Sequence, residues 1–312
     1  MKLIRALFFI LIVTGCLYGL LRQLVLMRQT DSSVVKSPLP ASVSGTPATQ
    51  LFPVEANPGT LKDVVIKASK GISGVYGMYI KNFKTGEIYF TNEHKIFDSA
   101  SLYKLWVTAT VYKQIQNGQL RETQTLRQDV AVLNQKFSIA SDSAELTEGT
   151  ITLTVHDALT KMITTSDNYA ALLLTEKIRL SSVATFLKEH GLSESAVGTT
   201  GGAPTATPYD IAIFLEKLYK GDFANSHYTD EMINLLKHQQ LNGGIPKYLP
   251  DKSKVANKTG EIDLFKHDAG IVFTDYGDYV IVILSETEDP PAAQERIAGI
   301  SRAVYTYFTR KR

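Results

Sequence analysis

Read for alternation and helical spacing, the chain divides into an apolar start, an unpatterned stretch and a long patterned remainder. Ala6 to Leu21 is an unbroken apolar run preceded by Lys2 and Arg5, and Arg22 separates it from a second apolar patch, Leu24 to Met27. Thr30 to about Thr60 has almost no periodicity and is rich in Ser, Thr, Pro, Ala and Val. Such a segment buries too little apolar surface to offset the entropy of ordering it, and reads as a tether. Pattern returns near Leu61. Thr60 is placed to cap a short helix with Val64, Val65 and Ala68 on one side. Val75 to Phe83 and Glu87 to Asn92 are β-rich runs joined by Lys84-Thr85-Gly86, which predicts a hairpin. A long helix from Leu102 to Gln116 follows, with Leu105, Trp106, Val111, Tyr112 and Ile115 as its core side and Gly118 as its stop.

Residues 119 to 150 read as polar and irregular. Thr154 with Asp157 marks a helix start, and Val155, Ala158, Leu159, Met162 and Ile163 form its apolar stripe. Tyr169 to Ile178 is apolar nearly all round, as the buried centre of a helical lobe would be. Ser182 to His190 gives another helix, stopped by Gly191, and Thr207-Pro208-Tyr209-Asp210 starts one more with a cap, a first-turn proline and an acid. Lys254 to Thr259, His267 to Thr274 and Asp278 to Ser285 are strand-like, with a turn at Tyr276-Gly277, and a closing helix, Ala292 to Phe308, would cover them. Strands at both ends with helices between predict an α+β fold, an α/β sandwich. Its antiparallel sheet is formed by both ends of the domain and flanked by helices, with an all-helical lobe inserted. The boundaries that follow are 1–28 for an anchor or signal segment, 29–60 for the linker and 61–312 for the folded domain. Within the last, 61–101 and 251–312 make the sheet lobe and 102–250 the helical lobe.

Composition narrows the picture. At 312 residues, 44% hydrophobic and 21% charged, the chain can bury one substantial core or two lobes sharing a cleft. A net charge of +2, with no Lys/Arg stripe outside the termini, gives no case for nucleic acid. The single cysteine, Cys16, lies in the amino-terminal segment, so the folded part has neither disulfide nor thiol chemistry. Basic residues ahead of an apolar stretch are the pattern of a secretory signal or membrane anchor. The run is shorter than the ~20 residues that span a bilayer, but Arg22 can snorkel and extend the span to Met27, which favours an anchor. Val13-Thr14-Gly15-Cys16 also resembles a bacterial lipobox, in which Cys16 would carry the lipid. Each route places the remainder in the cell envelope, held at a membrane outside the cytoplasm.

Candidate chemistry begins at Ser101-x-x-Lys104, at the start of the long helix. Residues three apart share a helix face, so a hydroxyl and an amine point into one space, a nucleophile beside a possible base. Ser99 has no lysine three residues on. Ser166-Asp167-Asn168 follows between two helices, and Lys258-Thr259-Gly260 lies on a late strand. Each cluster alone also reads as an ordinary solvated turn or strand end. In this order, and at a helix start, an inter-helix loop and a strand, the three together resemble the motif set of class A β-lactamases and penicillin-binding proteins. The resemblance runs from about Leu61 to the end, supported by Thr152 to Ala170 and by Ala256-Asn257 before the lysine. The earlier Lys84-Thr85-Gly86, in a hairpin turn ahead of the serine, is a coincidence.

The resemblance implies roles. Ser101 would attack a carbonyl and be acylated, with its proton taken by a neutral Lys104. Burial beside the second cation, Lys258, would push the Lys104 amine down far enough. Ser166 would shuttle the proton to the leaving nitrogen, and Asn168 would hold the substrate's side-chain amide. Lys258 and Thr259, with Gly260, would bind the substrate carboxylate, and the backbone N–H groups of Ser101 and Glu261 would form an oxyanion hole. Asp167 would brace its own loop.

Two departures from the family stand out. Between Gly191 and Thr207 the family's glutamate and asparagine pattern is missing, and Glu194 is the only carboxylate there, a substitute deacylation base if one exists. Glu261 next to the lysine motif would weaken the positive field for an anionic substrate, and His267-Asp268 either compensates, supplies a proton or simply braces the strands. The leading expectation is β-lactam hydrolysis by a serine acyl-enzyme. Beside it stand a D-alanyl-D-alanine peptidase acting on peptidoglycan and a catalytically idle module that binds cell-wall peptide. The expected partners are a β-lactam or a peptidoglycan stem peptide and, through the amino-terminal segment, a membrane. The chain is expected to act as a monomer, without cofactor, metal or nucleic acid.

Overall fold

The computed structural model describes residues 59–71, 73–199 and 202–310. The anchor, lipidation and linker expectations fall on residues 1–58 and lie outside the described residues. Among the described residues, no helix is long and apolar enough to cross a membrane.

The chain opens with α1 (Leu61–Ala68), the hairpin β1 (Val75–Asn82) and β2 (Ile88–Thr91), and a short β3 (Phe97–Asp98). One 3-10 turn (Ala100–Leu102) leads into α2 (Tyr103–Gln116). Then come β4 (Thr125–Asp129), α3 (Val130–Lys136), β5 (Thr150–Thr154), α4 (Val155–Thr164), α5 (Asn168–Ile178) and α6 (Leu180–Glu189). After β6 (Thr205–Ala206) follow α7 (Pro208–Lys220) and α8 (Ser226–Lys237). The last part is β7 (Val255–Ile262), β8 (Phe265–Val272), β9 (Tyr279–Glu286) and α9 (Pro290–Thr309).

The main sheet has the order β2-β1-β9-β8-β7, antiparallel throughout, so the two ends of the domain do meet in one sheet. β9 is its centre and is buried on both faces, which is why it reads as a continuous apolar run rather than an alternation. Val280, Val282 and Leu284 face the inserted helices, whereas Tyr279, Ile281 and Ile283 face α1 and α9. Each of these aliphatic side chains contributes roughly 1.5–3 kcal/mol of burial. α1 begins with a capping box: the Thr60 hydroxyl accepts the Asp63 N–H, and the Asp63 carboxylate accepts the Thr60 N–H.

The helical lobe packs around α2, whose Trp106 and Tyr112 are fully buried as packing residues. α5 is buried on nearly every side, as its composition requires. Two expectations need correction. Residues 119–150 are not wholly irregular: β4 pairs with β5, and α3 contributes Val130 and Leu133 to a small core with Tyr169 and Leu172. These elements span five to seven residues, and β4 carries one buried side chain, Leu126, so neither period has room to repeat. α8 was not marked in the sequence at all; it buries only Thr229, Met232 and Leu236 along one side.

Candidate active site

The nucleophile candidate is delivered by a turn held open from two sides. β3 pairs with β6, and the Asp98 carboxylate accepts the Ala100 N–H at 2.8 Å. Ala100 sits at φ +44°, in the left-handed region, which costs a non-glycine residue about 1–2 kcal/mol. The chain then tightens into the 3-10 turn, with Leu102 N–H on the Ser99 carbonyl at 2.9 Å, and continues as α2. Ser101 is half-buried there, on the wall of a cavity of about 390 Å³. Lys104 lies one turn further into the helix and is fully buried.

The second cluster comes from the link between α4 and α5. Asp167 caps α5 by accepting the Ala170 N–H at 2.7 Å, so its carboxylate braces the loop. Ser166, before it, is held at φ +61°. That bend turns both Ser166 oxygens toward the lysine: Lys104 Nζ donates to the Ser166 carbonyl at 2.6 Å, to Asn168 Oδ1 at 2.7 Å and to Ser166 Oγ at 3.3 Å.

The third cluster arrives on β7. Lys258 is fully buried and donates to Ser166 Oγ at 2.9 Å and to the Thr259 carbonyl at 2.8 Å. Ser166 Oγ therefore lies between two amines, and three sequence clusters that are 62 and 92 residues apart by contact converge on one hydroxyl. Ser101, Ser166, Asn168, Thr259 and Glu261 all line the same cavity, whose other wall is Leu241 to Gly244. That wall is fastened to α4 by the Gln240 N–H on the Thr164 carbonyl and the Gln239 side chain on the Ile163 carbonyl.

Burial decides the charge of these groups. Lys104 is pushed down to about 8 by desolvation, against the pull of the Asp167 and Glu145 carboxylates. Lys258 is pushed down to about 7 by desolvation and then by the positive charge of Lys104, with Asp268 opposing. Near neutral pH the pair therefore holds fewer than two protons on average. A neutral amine with a hydroxyl in reach is equipment for proton transfer.

Glu261 does not stand as a free negative charge. Its partner across the β7–β8 pair is Lys266, and the two side chains form a short ion pair at the cavity edge. Asp268 is turned inward and fully buried, accepting the Asn257 side-chain N–H at 2.8 Å and the Ile245 backbone N–H at 2.7 Å. Burial raises it to about 6. Gly244 lies so close to this carboxylate that a Cβ there would meet Asp268 Oδ2 at 2.3 Å. His267 is likewise buried and neutral, with both nitrogens on backbone groups.

Glu194 is not brought to the cavity. Its carboxylate binds His94 Nδ1 at 2.9 Å and accepts the Thr207 hydroxyl at 3.0 Å, and its own N–H goes to Asp210 at 2.8 Å. It pins the connection before α7. The carboxylate that does reach the cluster is Glu145, which accepts Asn168 Nδ2 at 2.5 Å. Nothing in the sequence marks Glu145, an exposed residue in a polar loop 23 positions before its partner. Lys266 had a readable signal: the hairpin register that places it opposite Glu261.

Comparison with known proteins identifies the family and the fold. A family model described as the beta-lactamase enzyme family matches residues 60–308. Among curated proteins, no match is found. Of solved structures, a beta-lactamase from Sphaerobacter thermophilus superposes with a TM-score of 0.70 at 24% identity, over 81% of this chain and 98% of that one. PBP-A superposes with a TM-score of 0.70 at 22% identity, over 80% and 95%. A PBP-A mutant solved as an acyl-enzyme complex with penicillin G gives 0.69 at 22%, over the same shares. The fold is that of these proteins, and with a family match that spans most of its length, the chain belongs to the beta-lactamase enzyme family.

Proposed function

We propose that this beta-lactamase-like serine hydrolase is acylated at Ser101 by β-lactams and clears the adduct slowly, in the manner of a penicillin-binding peptidase working on peptidoglycan outside the membrane that tethers it. The observation that carries the reading is the Ser166 hydroxyl bridged by two buried amines. In this reading neutral Lys104 takes the Ser101 proton as the Oγ–carbon bond forms. Ser166 then gives its proton to the amide nitrogen as the carbon–nitrogen bond breaks and is refilled from Lys104 with the proton taken from Ser101. Lys258, when charged, and Thr259 hold the substrate carboxylate, and the backbone N–H groups of Ser101 and Glu261 receive the oxyanion. Slow release is supported by the engagement of the carboxylates that line the cavity, Glu261 with Lys266 and Asp268 with Asn257 and Ile245, while Glu194 lies elsewhere with His94 and Thr207.

One contact favours a second reading, rapid β-lactam hydrolysis. Glu145 is one hydrogen-bonded link from Lys104 through Asn168, and a carboxylate there has a path to activate water. A fluorescent penicillin, followed by intact-protein mass and by turnover of a chromogenic cephalosporin, separates the two. A long-lived adduct of the penicillin's mass supports the first reading, and fast cephalosporin turnover the second. Ser101→Ala removes either signal; a label that still attaches to that variant, or no adduct on the unsubstituted chain, overturns both.

A further inference from the structure

β8 carries a histidine whose two ring nitrogens are both committed to backbone. His267 is 1% exposed. The Ser285 N–H on β9 donates to its Nδ1 at 3.1 Å, so the ring proton is on Nε2, which donates to the Asp98 carbonyl at 2.8 Å. An N–H cannot accept and a carbonyl cannot donate, so these partners fix one neutral tautomer. A second ring proton would face the Ser285 N–H, and burial lowers the ring to about 4 against the opposing pull of the Asp98 and Lys266 backbone.

The ring also fills space that the nucleophile turn needs filled. Phe97 meets it edge-on, with centroids 6.0 Å apart. Gly260 on β7 covers it so closely that a Cβ would lie 3.3 Å from His267 Cδ2 and 3.1 Å from the Ser99 carbonyl. Asp98 is thus gripped at two points: its carbonyl by the sheet through His267, and its carboxylate by the Ala100 N–H, where the chain turns left-handed just before Ser101. The charged groups around the ring are engaged elsewhere: Lys266 with Glu261, Asp268 with Asn257 and Ile245, and Glu286 of β9 with Lys95.

We propose that His267 is a positioning residue, a neutral imidazole of fixed tautomer that ties the Asp98–Ala100 turn to β8 and β9 and so aims the Ser101 hydroxyl and N–H into the cavity. The role rests on Ser101 being the acylated residue. It requires no proton transfer by the ring, although His267 sits among the residues of the cavity wall.

The test compares His267→Leu, which lacks the donor, with His267→Gln, which keeps an N–H at the reach of Nε2, in the full chain. Stopped-flow labelling with a fluorescent penicillin separates the pre-covalent dissociation constant from the acylation rate constant. The leucine variant acylates about 100-fold more slowly, because a small displacement of the nucleophile is enough for that loss. Its dissociation constant stays within about twofold, and glutamine restores most of the rate. A leucine variant that acylates at the full rate overturns the role, as does a glutamine variant no better than leucine. If the unsubstituted chain forms no adduct, the acyl-transfer reading fails instead. Nitrogen-15 NMR of His267 then decides the tie by itself: a neutral Nε2–H ring persisting down to about pH 4 upholds it, and an Nδ1–H tautomer or titration near 6.5 overturns it.

Discussion

Lys258 Nζ lies 2.9 Å from Ser166 Oγ, joining the last third of the chain to the loop between two helices of the inserted lobe. That contact couples the ionisation of two lysines through one hydroxyl, and the pH dependence follows. In the proposed mechanism the reactive form has Lys104 neutral and Lys258 charged, while their values lie at about 8 and about 7. Acylation therefore rises with pH as Lys104 loses its proton and falls as Lys258 loses its own. The expected profile is a bell centred between those values, with the reactive form a minority species and the apparent constants belonging to the pair. Rate constants for penicillin acylation from pH 5 to about 10 check it. In Lys258→Met the falling limb disappears.

The same lysines cost stability. Each has a folded value below its unfolded one, so between the two the unfolded chain binds more protons and stability rises with pH. This gain is complete above the unfolded value of 10.5 and is lost as pH falls through about 8 for Lys104 and about 7 for Lys258. Lys258→Met is therefore expected to be more stable than the unsubstituted chain at pH 7, by about 1 kcal/mol. Urea unfolding at pH 7 and pH 9 measures it, and the advantage shrinks at the higher pH.

Glu194 and Glu145 are separated by their partners. Glu194→Gln loses the His94 ion pair but leaves the lifetime of the penicillin adduct unchanged. Glu145→Gln leaves the lifetime within about twofold if release is slow by construction, and lengthens it about 100-fold if Glu145 activates water. Intact-protein mass against time reads both.

Gly244→Ala tests the wall of the cavity. The added methyl would meet the buried Asp268 carboxylate at 2.3 Å, which neither Asn257 nor Ile245 leaves free to move. The expected loss is about 1–3 kcal/mol in chemical unfolding, with slower acylation as Leu241 to Gly244 shifts.

Much of this was legible in the sequence because the information is local. Ser101 and Lys104 are one helical turn apart, Thr154 and Thr207 announce helix starts, and the strands at both ends are rich in β-branched residues. What was hidden depends on contacts across the chain. Glu145 meets Asn168 through a loop with no period, and α8 shows only a thin apolar side. The downward shift of Lys258 needed its depth of burial. The surroundings of Glu194 were hidden for the same reason: spacing along the chain does not say which wall a loop side chain faces, and its partners are His94 and Thr207.

β1 and β2 emerge first, yet β1's neighbour on the inner side is β9, some two hundred residues later. Until Tyr279–Glu286 has been synthesised and docked, that hairpin keeps an open edge and the Ser101 turn has no Ser285 behind His267. Contacts of such span slow folding and leave unpaired strands exposed to association. A product truncated before β9 carries Ser101, Lys104 and Lys258 without the central strand on which both halves of their sheet depend.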